Sequence, residues 1–244
     1  MSKNKKQPKK DPLCDFDGIC RIPNGTDLQG PVEIRRISDI SWRIFRIMGE
    51  FVQGFQFLSN FNKEITVLGG VHTPPGSKWY LEAEKFAFMC SKAGFTIITG
   101  GGPGIMEAAN KGAFKAGGES IGINIQLPFE QRINPYVKKS TAFNYFFTRK
   151  VMLSASAQAY IFFPGGFGTC DELFEMVTLV QTKKVTPMPI VCVGKDFWNL
   201  PRQWMTKMLE MGTINKQDLD LINFVDTAQE AFDIVRRSKE RTFF

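Results

Sequence analysis

The sequence predicts an α/β fold, a doubly wound parallel sheet with helices on both faces, preceded by an N-terminal helical extension. Three observations carry this reading. Short apolar runs of strand length alternate with longer amphipathic runs of helical period. The links between them are short, as in successive βαβ units. Two of those links, residues 100–104 and 164–169, are glycine-rich turns between a strand and a helix, where such sheets bind ligands.

The elements follow in chain order. Residues 1–37 are polar, rich in glycine and proline and without periodicity, and read as a basic tail and irregular arm. Residues 38–62 read as an amphipathic helix: Ser38 and Asp39 offer a cap, and Ile40, Ile44, Ile47, Met48, Phe51, Phe55 and Leu58 recur at steps of one helical face. That face packs on the chain's own core or on a second copy. Residues 63–240 form the main domain. Its first strand is 65–69, followed by a Gly/Pro loop at 70–77 and a helix over 79–93 stopped by Gly94. The second strand, 95–99, runs into Gly100-Gly101-Gly102-Pro103-Gly104. A helix over 105–116 follows, with Ala108, Ala109, Gly112 and Ala113 expected on the sheet side. Residues 120–125 are a third strand, 126–139 a polar loop, and the aromatic run 142–146 a candidate strand. Thr148-Arg149-Lys150 opens a helix. Residues 159–163 are the central strand, 173–181 a helix with Glu172 in its first turn, and 189–193 a further strand. Asp196 caps a helix to about Met211, 221–225 is extended, and 227–237 closes the chain as a helix.

Composition excludes several classes. The 244 residues are 43% hydrophobic and 23% charged, an ordinary globular balance. No apolar stretch reaches the roughly 20 residues a membrane helix needs. The lysine-rich start has no apolar segment and is no secretory signal. Net charge is +7, but Lys3, Lys5, Lys6, Lys9 and Lys10 carry five of those charges, leaving +2 for the rest. A nucleic-acid role would rest on that tail and is disfavoured. Five cysteines (Cys14, Cys20, Cys90, Cys170, Cys192) show neither zinc nor redox spacing, which fits a reduced, cytoplasmic protein. A single histidine, His72, excludes any two-histidine metal site, and no metal or cofactor is expected.

The chemistry centres on residues 164–172, Pro-Gly-Gly-Phe-Gly-Thr-Cys-Asp-Glu. A glycine turn brings bare backbone near a ligand, and the helix it opens presents free N–H groups and its positive dipole end, a seat for phosphate. A carboxylate there repels the phosphate, so Glu172 makes more sense aimed at another part of the same ligand. Residues 100–104 are half of a dinucleotide fingerprint without its spacing, and neither loop has the P-loop order. Arg149-Lys150 lies one helix earlier. Alone it could be a solvated helix start. Beside a phosphate seat, a guanidinium fork and a carboxylate suit cleavage of a glycosidic bond, where oxocarbenium-like charge develops on the sugar.

These residues resemble the Lonely Guy (LOG) family, whose hallmark is P-G-G-x-G-T-x-x-E. The resemblance spans about residues 65–238, through residues 100–104, Arg149-Lys150 and 164–172. It implies a Rossmann-like homodimer that hydrolyses a purine or cytokinin nucleoside 5′-monophosphate to free base and ribose 5-phosphate. Arg149 and Glu172 would be catalytic. Lys150, Gly165, Gly166, Phe167, Gly168, Thr169, Gly101, Gly102, Gly104, Thr178 and Glu130 would bind substrate. Differences from plant-type members lie at Leu68-Gly69-Gly70-Val71, in residues 123–136 and in the N-terminal arm, and bear on which base is taken. Relatives labelled lysine decarboxylases imply pyridoxal chemistry, but no lysine here sits in a Schiff-base setting. The alternative is a non-catalytic carrier of a nucleotide or pterin-type cofactor, which would not require Arg149 and Glu172 together.

Overall fold

The computed structural model describes residues 37–126 and 133–240. Contacts divide the chain into two compact units, Met1–Ile44 and Phe45–Phe244. Helix α1 (Ile37–Leu58) begins in the first, and its later part belongs to the second. The second unit contains seven parallel strands among its described residues, in the order β4-β3-β2-β1-β5-β6-β7. They are β1 (Glu64–Leu68), β2 (Thr96–Thr99), β3 (Ser120–Ile125), β4 (Lys139–Phe143), β5 (Ala159–Phe162), β6 (Ile190–Val193) and β7 (Ile222–Val225). The intervening helices are α2 (Lys78–Lys92), α3 (Ile105–Ala116), α4 (Phe146–Ala155), α5 (Phe167–Gln181), α6 (Lys195–Glu210) and α7 (Ala228–Val235).

Alternation along the strands feeds cores on both faces, as a covered parallel sheet requires. Ile65, Val67, Ile97, Ala159, Ile161, Val191 and Val193 pack with α2, α3 and α7. The opposite face is split in two. Tyr160, Phe162, Ile190 and Cys192 pack with Leu173 and Met176 of α5 and Trp198 of α6. Ile98, Ile121, Ile123 and Phe143 pack with Leu58 of α1 and with Met152 and Leu153 of α4. The end of α1 therefore lies on its own core, while Met48 and Val52 remain exposed.

Four sequence expectations shift. The fourth strand starts three residues before the aromatic run at 142–146, because its pairing with β3 (Ile121 to Lys139 through Ile125 to Phe143) sets its bounds. Phe146 and Phe147 instead open α4, two residues ahead of Thr148. Asp196 does not cap α6: Gly194 holds that position and Asp196 lies in the first turn. Gly112 faces α2 rather than the sheet, and a Cβ there would lie 2.9 Å from the Phe88 backbone nitrogen. Helix propensity and apolar pattern do not reveal which neighbour a small residue serves.

Candidate functional site

The strand order reverses beside β1: the chain moves outward through β2, β3 and β4, then returns to β5 on the other side. Ligands of such sheets bind at this switch point, beyond the carboxyl ends of the strands. Three loops meet there. Gly70, after β1, donates its N–H to the Pro164 carbonyl after β5 (3.0 Å) and accepts at its own carbonyl from the Ile105 N–H opening α3 (3.1 Å). Close approach sets the residue type at Gly165, where a Cβ would stand 2.9 Å from the Gly70 nitrogen and 2.7 Å from the Thr169 Cβ.

Helix α5 starts at Phe167, so residue 172 falls in its second turn rather than its first as the sequence suggested. Gly166 caps the helix, and its carbonyl accepts from Cys170 (3.1 Å). The N–H groups of the first turn have no carbonyl ahead of them within the helix. A Cβ on Gly166 or Gly168 would meet only open space, so this backbone can be approached. Thr169 is buried beside Gly165, whereas Phe167 is 97% exposed.

Glu172 sits five residues into α5, about 7.5 Å along the axis from the helix start. It is 8% exposed. Burial, the Glu175 carboxylate and Asp171 push its carboxyl up to about 7, against the pull of Lys150 and Arg149. Arg149, in the first turn of α4, donates from Nε to the Ile123 carbonyl within β3 (3.0 Å). Its guanidinium overlies Gly100, where any Cβ would collide with Nη2. Burial lowers its pKa and the nearby Glu172 carboxylate opposes that. A buried acid and a partly buried guanidinium from two helices thus come within electrostatic reach of one another, near the glycine-lined helix start.

The remaining sequence candidates are placed as follows. Lys150 Nζ pairs with Asp171 (2.5 Å) and Glu175 (3.4 Å) on α5. Burial lowers its pKa, but those carboxylates and Glu172 outweigh this and hold it above the usual lysine range. The Gly101 and Gly102 carbonyls both accept from Asn134 Nδ2 (3.1 and 3.0 Å), and Gly104 caps α3. Thr178 is exposed and donates its hydroxyl to the Phe174 carbonyl (2.7 Å). Glu130 lies outside the described residues.

Sequence reasoning missed the groups that hold these loops. Asn110 links Thr99, Ser120 and Asn134 in a buried network under the loop at 100–104: its Oδ1 accepts from Thr99 Oγ1 and Asn134 Nδ2, and its Nδ2 donates to Ser120 Oγ. Glu50 of α1 accepts from the Asn144 N–H and side chain and from Thr148 Oγ1, anchoring the start of α4. Burial works to raise its pKa, yet these bonds bring it below the usual carboxylate range. An asparagine among the small residues Ala108, Ala109, Gly112 and Ala113 was the one available signal for Asn110. Nothing local marks Glu50.

Fold and site together define a class: a parallel α/β protein with a glycine-lined helix start at the switch point and a buried glutamate within electrostatic reach of a partly buried arginine. The family described as "Possible lysine decarboxylase" matches residues 106–235, more than half the chain. The chain belongs to this family, the Lonely Guy family its motif resembles. Among curated proteins it is 27% identical over 143 residues to a probable cytokinin riboside 5′-monophosphate phosphoribohydrolase of Oryza sativa subsp. japonica, covering 57% of this chain and 67% of that one. It is 29% identical over 156 residues to the cytokinin riboside 5′-monophosphate phosphoribohydrolase of Mycobacterium tuberculosis, covering 62% and 81%. Among solved structures it superposes on a molybdenum cofactor binding protein from Rippkaea orientalis with a TM-score of 0.56 at 20% identity, over 71% of this chain and 94% of the other. The molybdenum cofactor carrier protein of Chlamydomonas reinhardtii gives 0.54 at 22% identity, over 71% and 96%. At these identities the structures share the fold.

Proposed function

We propose that this protein hydrolyses the N-glycosidic bond of a purine or cytokinin nucleoside 5′-monophosphate, releasing the free base and ribose 5-phosphate. One observation carries the reading: a buried carboxylate, Glu172, lies within electrostatic reach of Arg149 and about 7.5 Å along the axis from the open start of α5. The 5′-phosphate is seated on the N–H groups around Gly166, Gly168 and Thr169. Gly165 and the loop of Gly101, Gly102 and Gly104 shape the cleft.

As the bond from the anomeric carbon to the ring nitrogen stretches, its electron pair leaves with the base and positive charge grows on the sugar. The ionised Glu172 stabilises that charge and accepts a proton from the attacking water, whose oxygen joins the anomeric carbon. The guanidinium of Arg149 orients Glu172 and the phosphosugar. A carboxyl near 7 suits an acid that takes and returns a proton at neutral pH. Decarboxylation through a Schiff base is disfavoured, since it needs a neutral lysine and the carboxylates around Lys150 keep it charged.

The relatives' names support the substrate class, and the exposed apolar residues Met48 and Val52 support a homodimer in which α1 takes part. Incubation of the full chain with AMP, GMP, CMP, UMP and N6-prenylated AMP, with detection of free base and ribose 5-phosphate, tests the activity. Release from at least one purine nucleotide is expected. Binding of nucleotide without release from any of them would transfer the reading to a carrier. Sedimentation of a chain starting near Lys63 tests the role of α1 in assembly.

A further inference from the structure

We propose that Lys150, Ser154, Asp171 and Glu175 form a clasp between α4 and α5 that sets the separation of Arg149 and Glu172, so that Lys150 is a positioning residue and not a phosphate ligand. This deepens the hydrolase reading and rests on it for its kinetic consequences.

The reason lies in how the two helices are packed. The apolar residues of α4, Met152 and Leu153, belong to the cluster with α1, β3 and β4. Those of α5, Leu173, Met176 and Val180, belong to the cluster with β5, β6 and α6. The acid and the arginine therefore ride on helices anchored in different cores. Polar bonds bridge the gap. Lys150 Nζ lies between Asp171 and Glu175, which are one turn apart on α5. Ser154, one turn along α4, reaches the same Glu175 oxygen with its hydroxyl (3.1 Å). Lys150 and Glu175 each keep about a quarter of their side-chain surface in solvent, whereas Asp171 keeps 65%, so the Glu175 half of the clasp is the part withdrawn from water. An ammonium already facing two carboxylates is poorly placed to serve a phosphate as well. Glu172 is faced by Asp171 and Glu175 from its own helix and by Arg149 and Lys150 from α4, so a disturbed clasp also alters its titration.

The test compares Lys150→Met, Glu175→Gln, their double variant and Lys150→Arg, each checked for native circular dichroism. Each neutral variant is expected to lower kcat about tenfold with KM within about threefold, since misplacement of a catalytic pair acts on the chemical step. The double variant is expected to be no worse than the poorer single, and Lys150→Arg to recover most of the rate. By carbon-13 NMR titration, Glu172 is expected to move to higher pKa in Lys150→Met and to lower pKa in Glu175→Gln. That titration needs no turnover: if the wild type releases no base, the hydrolase reading fails while the clasp is still judged. A tenfold rise in KM with kcat kept in Lys150→Met, additive effects in the double variant, or an unmoved Glu172 titration would each overturn the clasp. Should Lys150→Met not fold, Glu175→Gln and Lys150→Arg carry the same judgement.

Discussion

Two helix pairs on opposite faces of the sheet are bridged by lysine–carboxylate contacts, and the bridges do different work. Between α2 and α3, Glu84 meets Lys111 (3.1 Å) and Lys115 (2.5 Å). Those helices also touch along their backbones through Gly112 and share one apolar core, with Ala83, Phe86 and Ala87 against Ala108, Ala109 and Ala113. Between α4 and α5, Lys150 meets Asp171 and Glu175, but the apolar residues belong to separate cores. Where packing already sets the geometry, an ion pair adds little. Where packing is divided, the same kind of pair decides a distance, and here the distance is that between Arg149 and Glu172.

The largest test of this contrast is at the α4–α5 side. Glu172→Gln should cut turnover by about 10³-fold, measured as base release, while keeping most nucleotide affinity. Stability should move the other way. The carboxyl titrates at about 7 folded against 4.5 unfolded, so the native state holds the extra proton and wild-type stability falls as pH rises from about 4.5 to 7, then levels. The variant escapes that loss and should be more stable by roughly 1–3 kcal/mol in urea at pH 8, with the gap closing at pH 4.5. In the wild type, kcat/KM should rise with pH through about 7 as Glu172 ionises. A flat profile would remove Glu172 from the role of base.

Next comes the packing side. Gly112→Ala drives a Cβ into the α2 backbone and should cost about 1–3 kcal/mol in chemical denaturation, with kcat of the surviving folded protein unchanged. A drop in kcat instead would show that the two faces are not independent. Glu50→Gln should cost a similar 1–2 kcal/mol, since it keeps the shape but weakens charge-assisted bonds to Asn144 and Thr148. Unlike Gly112→Ala, it should also lower kcat, because the start of α4 carries Arg149. The smallest effect is expected for Glu84→Gln, about 0.5 kcal/mol in stability and none in kcat. A loss in kcat as large as that from Glu175→Gln would erase the distinction between the bridges.

Most of the architecture was legible in the chain. Short apolar runs, glycine punctuation and helical spacing marked the strands other than the fourth and their helices, and the motif at 164–172 marked the glycine turn. Errors fell where local pattern competes with pairing. The aromatic run at 142–146 looked like a strand, yet hydrogen bonds to β3 placed the strand earlier and gave Phe146 to α4. The start of α5 was drawn late because Phe167 and Gly168 lack apolar helical spacing, although as first-turn residues they need none.

By itself the sequence determined the order of elements, the two glycine turns and the residue types at the site, because these depend on neighbours a few positions apart. Tertiary structure alone decided the rest. It laid Arg149 over Gly100, brought Glu50 to the start of α4, gave Lys150 two carboxylates from another helix, and buried Glu172 far enough to lift its carboxyl to about 7. Each of these is a through-space relation between segments distant in the chain. Burial and charge are properties of what surrounds a residue, and a residue's surroundings exist only once the chain has folded.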